Sequence, residues 1–264
     1  MIRTVLIGLV AAAMLAAPAR AEIVISPLRQ VLTKNRPVAV YEIANASDRI
    51  VDGRVGWIDL SAIETGYADA APAARAALSA APYLVVSPAR IRLEPGKRAV
   101  VTVRLKKGAV IPAGERRSHL LIETTPVRTP LRRAGGGLEV DVELGMSTPV
   151  ILRGGAAAPS VSFAETRLVR DSEGLLEIET TLSRAGRYSA YGHLTAEMKR
   201  GGETAALAEI RNIALHVDAN ARRLTIPLGQ NALPAGLLTL RYIGDAEYAG
   251  RAFAEKTFEI APPE

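Results

Sequence analysis

Cysteine is absent from all 264 residues. Disulfide scaffolds, structural cysteine–zinc sites, iron–sulfur clusters and thiol nucleophiles are therefore excluded. Histidine occurs only three times and aromatic residues make up 4% of the chain, which leaves little for a His-rich metal centre or a base-stacking platform. His119, His193 and His216 do not fall at metal-ligand spacing, and no Gly-x-Ser-x-Gly elbow accompanies them. They read as structural or surface histidines. The triple glycine Gly135, Gly136 and Gly137 follows two arginines but precedes a strand pattern, so the amide cradle of a helix N-terminus is missing and a hairpin loop is expected. Carboxylates are scattered through strand and turn patterns. Neither a catalytic residue, a metal site nor a cofactor is expected.

Hydrophobic residues make up 48% of the chain and charged ones 23%, the balance of a folded globular protein. The length suits one large domain or two ordinary ones. Arg3 precedes an apolar run over residues 5–17, followed by Pro18 and the small-x-small triplet Ala19, Arg20 and Ala21. That is the order of a secretory signal peptide, and the run is shorter than the roughly 20 apolar residues a membrane span needs. Cleavage before Glu22 leaves 243 residues with 31 basic and 27 acidic side chains, a net charge of +4. Such mild basicity is not a nucleic-acid signature. No later apolar run is long enough to span a bilayer, and no cysteine follows the cleavage site to be lipidated. The expected product is exported, periplasmic and not membrane-embedded.

Strand patterns dominate what remains. The runs 38–44, 54–60, 99–105 and 118–125 are β-rich, and those at 176–182, 223–228 and 236–242 follow a small-residue linker at 154–159. Residues 257–260 form a last strand, and 69–81 hold at most a short helix bounded by Pro72 and Pro82. Residues 138–146 alternate without a break. Leu138, Val140, Val142, Leu144 and Met146 share one face, and Glu139, Asp141 and Glu143 the other. Turn clusters about every ten residues suggest two consecutive all-β sandwiches of the immunoglobulin-like kind, at residues 22–154 and 155–264 after the leader at 1–21.

Four stretches resemble the PapD-like periplasmic chaperones of chaperone–usher pilus assembly. Residues 29–45 are similar to that family's opening strand, turn and second strand, with Arg29 and Asn45 in register. Residues 82–96 resemble its aromatic, Ser-Pro and Leu-x-Pro-Gly stretch, and 114–121 resemble an Arg-Ser-His-Leu variant of its more divergent branch. The alternating strand, with Arg153 at the end of its segment, resembles the strand the family lends to pilus subunits. The match covers roughly residues 23–154, whereas the second half agrees mainly in length and in a turn at 242–245.

The resemblance implies a chaperone that completes an unfinished subunit sandwich with its own strand and delivers the subunit to an outer-membrane usher. This is donor-strand complementation, a form of β-augmentation. Val140, Val142, Leu144 and Met146 are the implied donor side chains; the alternative is that they face this domain's own core. Arg29 matches the arginine that grips the subunit's C-terminal carboxylate, a task suited to a permanently charged two-pronged donor. The family's second anchor is a lysine, and aligning the terminal arginines puts Pro149 there. No lysine occurs between Lys107 and Lys199, so the second charge comes from an arginine, with Arg117 or its neighbour Arg116 as candidate, or is absent; the alternative for that arginine is a structural ion pair. Arg92 and Asp245 are the implied interdomain salt bridge. Self-association through the donor strand stays open. The rival readings are a secreted two-domain immunoglobulin-like adhesion or structural protein and, much further behind, an exported hydrolase with a spatially assembled site.

Overall fold

A computed structural model describes residues 23–127 and 143–261 and places most of the alternating runs in strands. The first half contains β1 (Ile23–Ser26), β2 (Gln30–Leu32), β3 (Val38–Asn45), β4 (Val51–Ile58), β5 (Leu60–Ile63), β6 (Gly66–Asp69), β7 (Leu84–Ser87), β8 (Arg90–Leu93), β9 (Arg98–Leu105), β10 (Glu115–Pro126) and β11 (Leu144–Arg153). They form a sheet of order β1-β3-β9-β7 and a second of order β2-β11-β10-β4-β8, with the β5–β6 hairpin standing apart. Side chains alternate between core and solvent because the strand period is two. Tyr41, Ile43, Val101 and Val103 from one sheet and Leu120, Ile122, Val150 and Leu152 from the other make a single buried cluster.

The second half contains β12 (Ser160–Arg170), β13 (Leu176–Ala185), β14 (Ala190–Arg200), β15 (Glu203–Leu215), β16 (Ala221–Pro227), β17 (Gly236–Gly244) and β18 (Ala252–Ile260). Its sheets run β12-β13-β16 and β15-β14-β17-β18. They enclose a separate core of Leu182, Leu194, Leu240 and Tyr242, among others. The Tyr242 hydroxyl donates to the Ile213 carbonyl at 3.0 Å, which satisfies the one polar atom that this ring carries into the core. Gly192 sits where β14 and β17 approach most closely: a Cβ there would lie 2.0 Å from the Ile243 carbonyl oxygen. The chain is thus almost entirely β, in two sandwich-like units with separate cores.

Asn45 closes the first corner. It is 1% exposed, and its Nδ2 donates to the carbonyls of Arg49 and Leu93 while Oδ1 accepts from the backbone N–H and hydroxyl of Ser47. All its capacity is used in turning β3 toward β4 and tying the turn to β8, a buried polar group being tolerable only when paired.

Two departures from the sequence reading bear on the site. The run 54–60 is not one strand: it breaks at Asp59, whose carboxylate accepts from the Ser118 hydroxyl at 2.5 Å. The chain then turns into the β5–β6 hairpin, whose four-residue strands are too short for a clear alternation. The strand expected at 138–146 begins, in the described residues, at Leu144 and continues to Arg153; residues 138–142, and with them Val140 and Val142, lie outside the described residues, as do Gly135, Gly136 and Gly137. The short helix expected between the prolines is α1 (Pro72–Leu78), with Pro72 in its first turn, where a missing N–H costs nothing, and no buried residue.

Candidate functional site

The first element of the site is a strand edge. β11 pairs along its whole length with β10, from Leu144 opposite Thr124 to Arg153 opposite Glu115. On its other side β2 covers only Val150, Ile151 and Leu152. Among the described residues no strand pairs with the outer edge from Leu144 to Pro149; the Pro149 carbonyl accepts from the Tyr41 hydroxyl at 3.4 Å, and the outward backbone groups before it are left for another chain. Met146, Thr148, Val150 and Leu152 share one face: the last three are buried, and Met146 packs against the first core. Leu144 heads the same row and is 38% exposed, marking where this unit's own core runs out. Pro149, which lacks a backbone donor, sits immediately before the segment that β2 covers.

The second element is a cluster of charges between the units. Arg29, just before β2, donates from Nη1 and Nη2 to the two carboxylate oxygens of Glu247 at 2.8 and 2.7 Å. Its guanidinium lies 4.5 Å from the centroid of the Tyr191 ring, a cation–π stack that fixes the plane of the fork. Arg153, at the end of β11, contacts the Glu247 oxygen Oε1 that Arg29 Nη2 also holds, at 3.0 Å, and donates to Glu115 from Nε at 3.0 Å. Glu115 also accepts the Ser189 N–H, and Arg153 donates to the Ser189 hydroxyl. The rings of Tyr188 and Tyr248 lie about the same guanidinium, at 5.5 and 5.4 Å. Burial alone would raise the Glu247 pKa, but its hydrogen bonds and charge contact with Arg29, aided by Arg153, outweigh this and hold it below the ordinary carboxylate value.

Arg117 belongs to a third group. Its Nη1 and Nη2 hold Asp218 at 2.9 and 2.8 Å, and Nη2 also donates to the Leu60 carbonyl. Asp218 in turn accepts the Ala62 N–H at 2.7 Å, so the β5–β6 hairpin is tied to the second unit. The Tyr67 hydroxyl meets His216 Nε2 at 2.7 Å, and the His119 ring stands edge-on to Tyr67 with centroids 4.9 Å apart. Both ring nitrogens of His119 are buried without a partner among the described residues. Burial, reinforced by the Arg117 charge, lowers the His119 pKa to about 4 and pushes that of His216 well below the ordinary histidine value.

The arginines expected to meet a ligand's carboxylate are therefore both engaged by carboxylates of the same chain. For Arg117 the side chain is 4% exposed, and the partner that replaces the expected ligand is Asp218. The expected pair between Arg92 and Asp245 is replaced by two others: Arg92 lies 3.6 Å from Asp52 on the same sheet face, and Asp245 pairs with His193 at 3.0 Å. The contacts between the units run instead through Arg153, Arg29 and Arg117, and through Arg223 with Glu64. Sequence reasoning missed Glu115, Glu247, Asp218 and Tyr67. A signal existed for the first, because Glu115 and Arg153 stand at matching ends of neighbouring strand patterns. The others come from distant turns and from the short strand β6, and carry none.

Arg116, the other arginine considered beside Arg117, donates to the Ala77 carbonyl at 2.5 Å at the end of α1 and stacks over Tyr83. A pocket of about 700 Å³ lies near the junction, lined largely by apolar groups from Leu105, Val110 and Ile111, together with Lys34 and Arg153. Among the described residues there is no group of three or more His, Asp or Glu side chains able to hold a metal ion, and no helix is long and apolar enough to cross a membrane.

No family model matches this chain, and no curated protein does either. Its structure is similar to that of the YadV chaperone, with a TM-score of 0.46 and 10% identity over 91% of this chain and 100% of the other. It is also similar to the CupB2 chaperone of Pseudomonas aeruginosa, with a TM-score of 0.43 and 15% identity over 91% and 100% of the two chains. A third similarity is to a chain of the CsuC–CsuE chaperone–tip adhesion subunit pre-assembly complex from the archaic chaperone–usher Csu pili of Acinetobacter baumannii, with a TM-score of 0.42 and 11% identity over 77% and 90%.

Proposed function

We propose that this chain is an exported periplasmic chaperone that holds pilus or fimbrial subunits by lending them the outer edge of β11, and passes them to an outer-membrane usher. The observation that carries the reading is the edge from Leu144 to Pro149, unpaired among the described residues and headed by an exposed leucine. In the sequence, the alternation that sets Leu144 and Met146 in one row includes Val142 and Val140. Added main-chain pairing would hold a subunit strand, and the apolar row would fill its groove at roughly 1.5–3 kcal/mol per buried side chain before ordering costs. In this reading each sandwich is immunoglobulin-like, the boundary falls between Gly154 and Gly155, and the leader at 1–21 is removed on export. Arg29 anchors the subunit's terminal carboxylate and so fixes the strand's register, since a one-residue slip would turn the wrong face inward. Arg117 contributes by keeping the second unit in place behind it.

Met146, packed on this unit's own core, favours the rival reading of a two-domain structural protein in which the strand is internal. Co-expression with a pilus subunit of the chaperone–usher class separates the two. The chaperone reading expects a subunit to co-purify with the wild-type chain. Leu144→Asp or Val142→Asp should reduce capture by about tenfold or more, a charged side chain buried in an apolar groove being costly. Glu143→Gln, on the opposite face, should leave it intact. Capture that is unchanged in both aspartate variants contradicts strand lending.

A further inference from the structure

Arg29, expected to meet a terminal carboxylate, already holds one in the free chain. We propose that Arg29, Arg153 and Tyr191 form a preformed carboxylate receptor whose resting occupant is Glu247, and that a ligand's terminal carboxylate enters by exchange with that side chain. The identity of the ligand as a subunit's C-terminus rests on the strand-lending reading; the receptor itself rests on geometry.

The receptor side is deep and rigid. The side chains of Arg29 and Arg153 are each 5% exposed, the Arg29 fork is stacked on Tyr191, and Arg153 is held from behind by Glu115, itself 1% exposed. Glu247 is the shallow member of the group, with 23% of its side chain exposed. It sits on a single 3-10 turn, Ala246–Tyr248, whose first residue, Ala246, has a φ of +52°, a left-handed conformation that strains a residue with a Cβ. The plug thus hangs on a short strained turn while the socket is built into two sandwiches. The Arg29 Nε is buried without a partner among the described residues, so the guanidinium retains a donor that Glu247 does not use.

The fork decides between exchange and simple addition. Both terminal nitrogens of Arg29 already donate to Glu247, and Arg153 contacts the same carboxylate. A second carboxylate meets the Arg29 fork only where Glu247 now sits. Replacing Glu247 by another carboxylate keeps both fork hydrogen bonds and leaves the charge of this largely buried group, to which the buried Arg184 also contributes, unchanged.

The test uses the full chain and small probes. Glu247→Ala removes the carboxylate and one methylene, leaving room that acetate can fill; N-acetylglycine represents a peptide terminus, and acetamide and N-acetylglycinamide are their neutral counterparts. At matched ionic strength, acetate and N-acetylglycine should raise the thermal midpoint of Glu247→Ala, by mass action on the folded state. Half-saturation should fall at least about tenfold below that for wild type, whose site is filled, and the amides should have no effect because they lack the charge that strengthens the fork. The double variant Arg29→Ala/Glu247→Ala should lose the response. If Glu247→Ala does not fold, Glu247→Gln serves: it keeps the shape, and N-acetylglycine should shift the Arg29 side-chain and Tyr191 amide resonances more in the variant than in wild type. Equal responses in wild type and variant, equal effects of acid and amide, or no response in either variant overturns the proposal. Because the probes carry no strand, failure here leaves strand lending standing, and failure of subunit capture with intact acetate rescue leaves the receptor standing.

Discussion

Replacing Arg153 by leucine is expected to destabilise the chain by about 3–5 kcal/mol, the cost of leaving a buried anion without its cation. The anion is Glu115, whose side chain is 1% exposed and whose Oε2 lies 2.8 Å from Arg153 Nη2. The same substitution strips Glu247 of one of its two arginines and leaves the Ser189 hydroxyl without its donor. It also removes a cation from between the Tyr188 and Tyr248 rings. Because these partners come from both halves of the chain, the loss should appear as weakened docking of the two units as well as a lower urea midpoint. The double variant Arg153→Leu/Glu115→Leu should recover a large part of the loss, since removing both members of a buried pair is far less costly than removing one. Recovery would stay incomplete, because the Ser189 N–H loses its acceptor. A loss below about 1 kcal/mol in the single variant would mean that the pair is solvated and holds nothing together.

Acid is expected to act at the other polar cluster. His119 faces Tyr67, Arg117, Asp59 and Asp218; His216 faces Tyr67, Arg117, Arg29, Arg222 and His119. Desolvation and the arginine charge keep both rings neutral in the folded chain, with the pKa of His119 lowered to about 4. In the unfolded chain a histidine takes its proton near pH 6.5. As pH falls below that value the unfolded state binds protons that the folded state does not, so stability is lost. The loss attributable to His119 continues until its folded-state pKa near 4 is reached. Between pH 6.5 and 5, above the range in which most carboxylates titrate, one such histidine costs about 2 kcal/mol. Chemical denaturation across that window should therefore show a steeper decline for wild type than for His119→Gln, with His216→Gln flattening it too. Parallel curves would contradict the burial of these rings.

How far the sequence could be read follows from the range of the interactions involved. Alternation is local, so the strands at 38–45, 98–105, 115–126, 176–185 and 236–244 were legible. Leu144 and Met146 were placed on one face correctly, but parity cannot say where a core ends. The difference between an exposed Leu144 and a packed Met146 comes from how far β10 and the opposite sheet extend. The resemblance marks Arg29 as an anchor for a subunit's terminal carboxylate, whereas the carboxylate it holds in this structure is the chain's own. That the partner is Glu247, 218 positions away, depends on how the two units dock. The Arg92–Asp245 expectation failed for the same reason in reverse: each residue finds a nearer partner, across a strand pair for Arg92 and on β14 for Asp245. The β5–β6 hairpin, which brings Tyr67 and the Ala62 N–H to the second unit, was too short to leave a periodic trace.

The central claim is that another chain's strand completes the sheet at β11, and backbone amide exchange measures it directly. In the free chain the outward-facing amides of Gly145 and Ser147, which alternate with residues whose N–H groups point to β10, should exchange quickly, having no strand beside them among the described residues. In a complex with a co-expressed pilus subunit they should slow by about a hundredfold or more, the mark of newly formed ladder hydrogen bonds. The amides of β1 and β8, which lie at other sheet edges, should not change. Protection that appears at those edges, or a subunit complex in which Gly145 and Ser147 exchange as fast as in the free chain, would contradict the account.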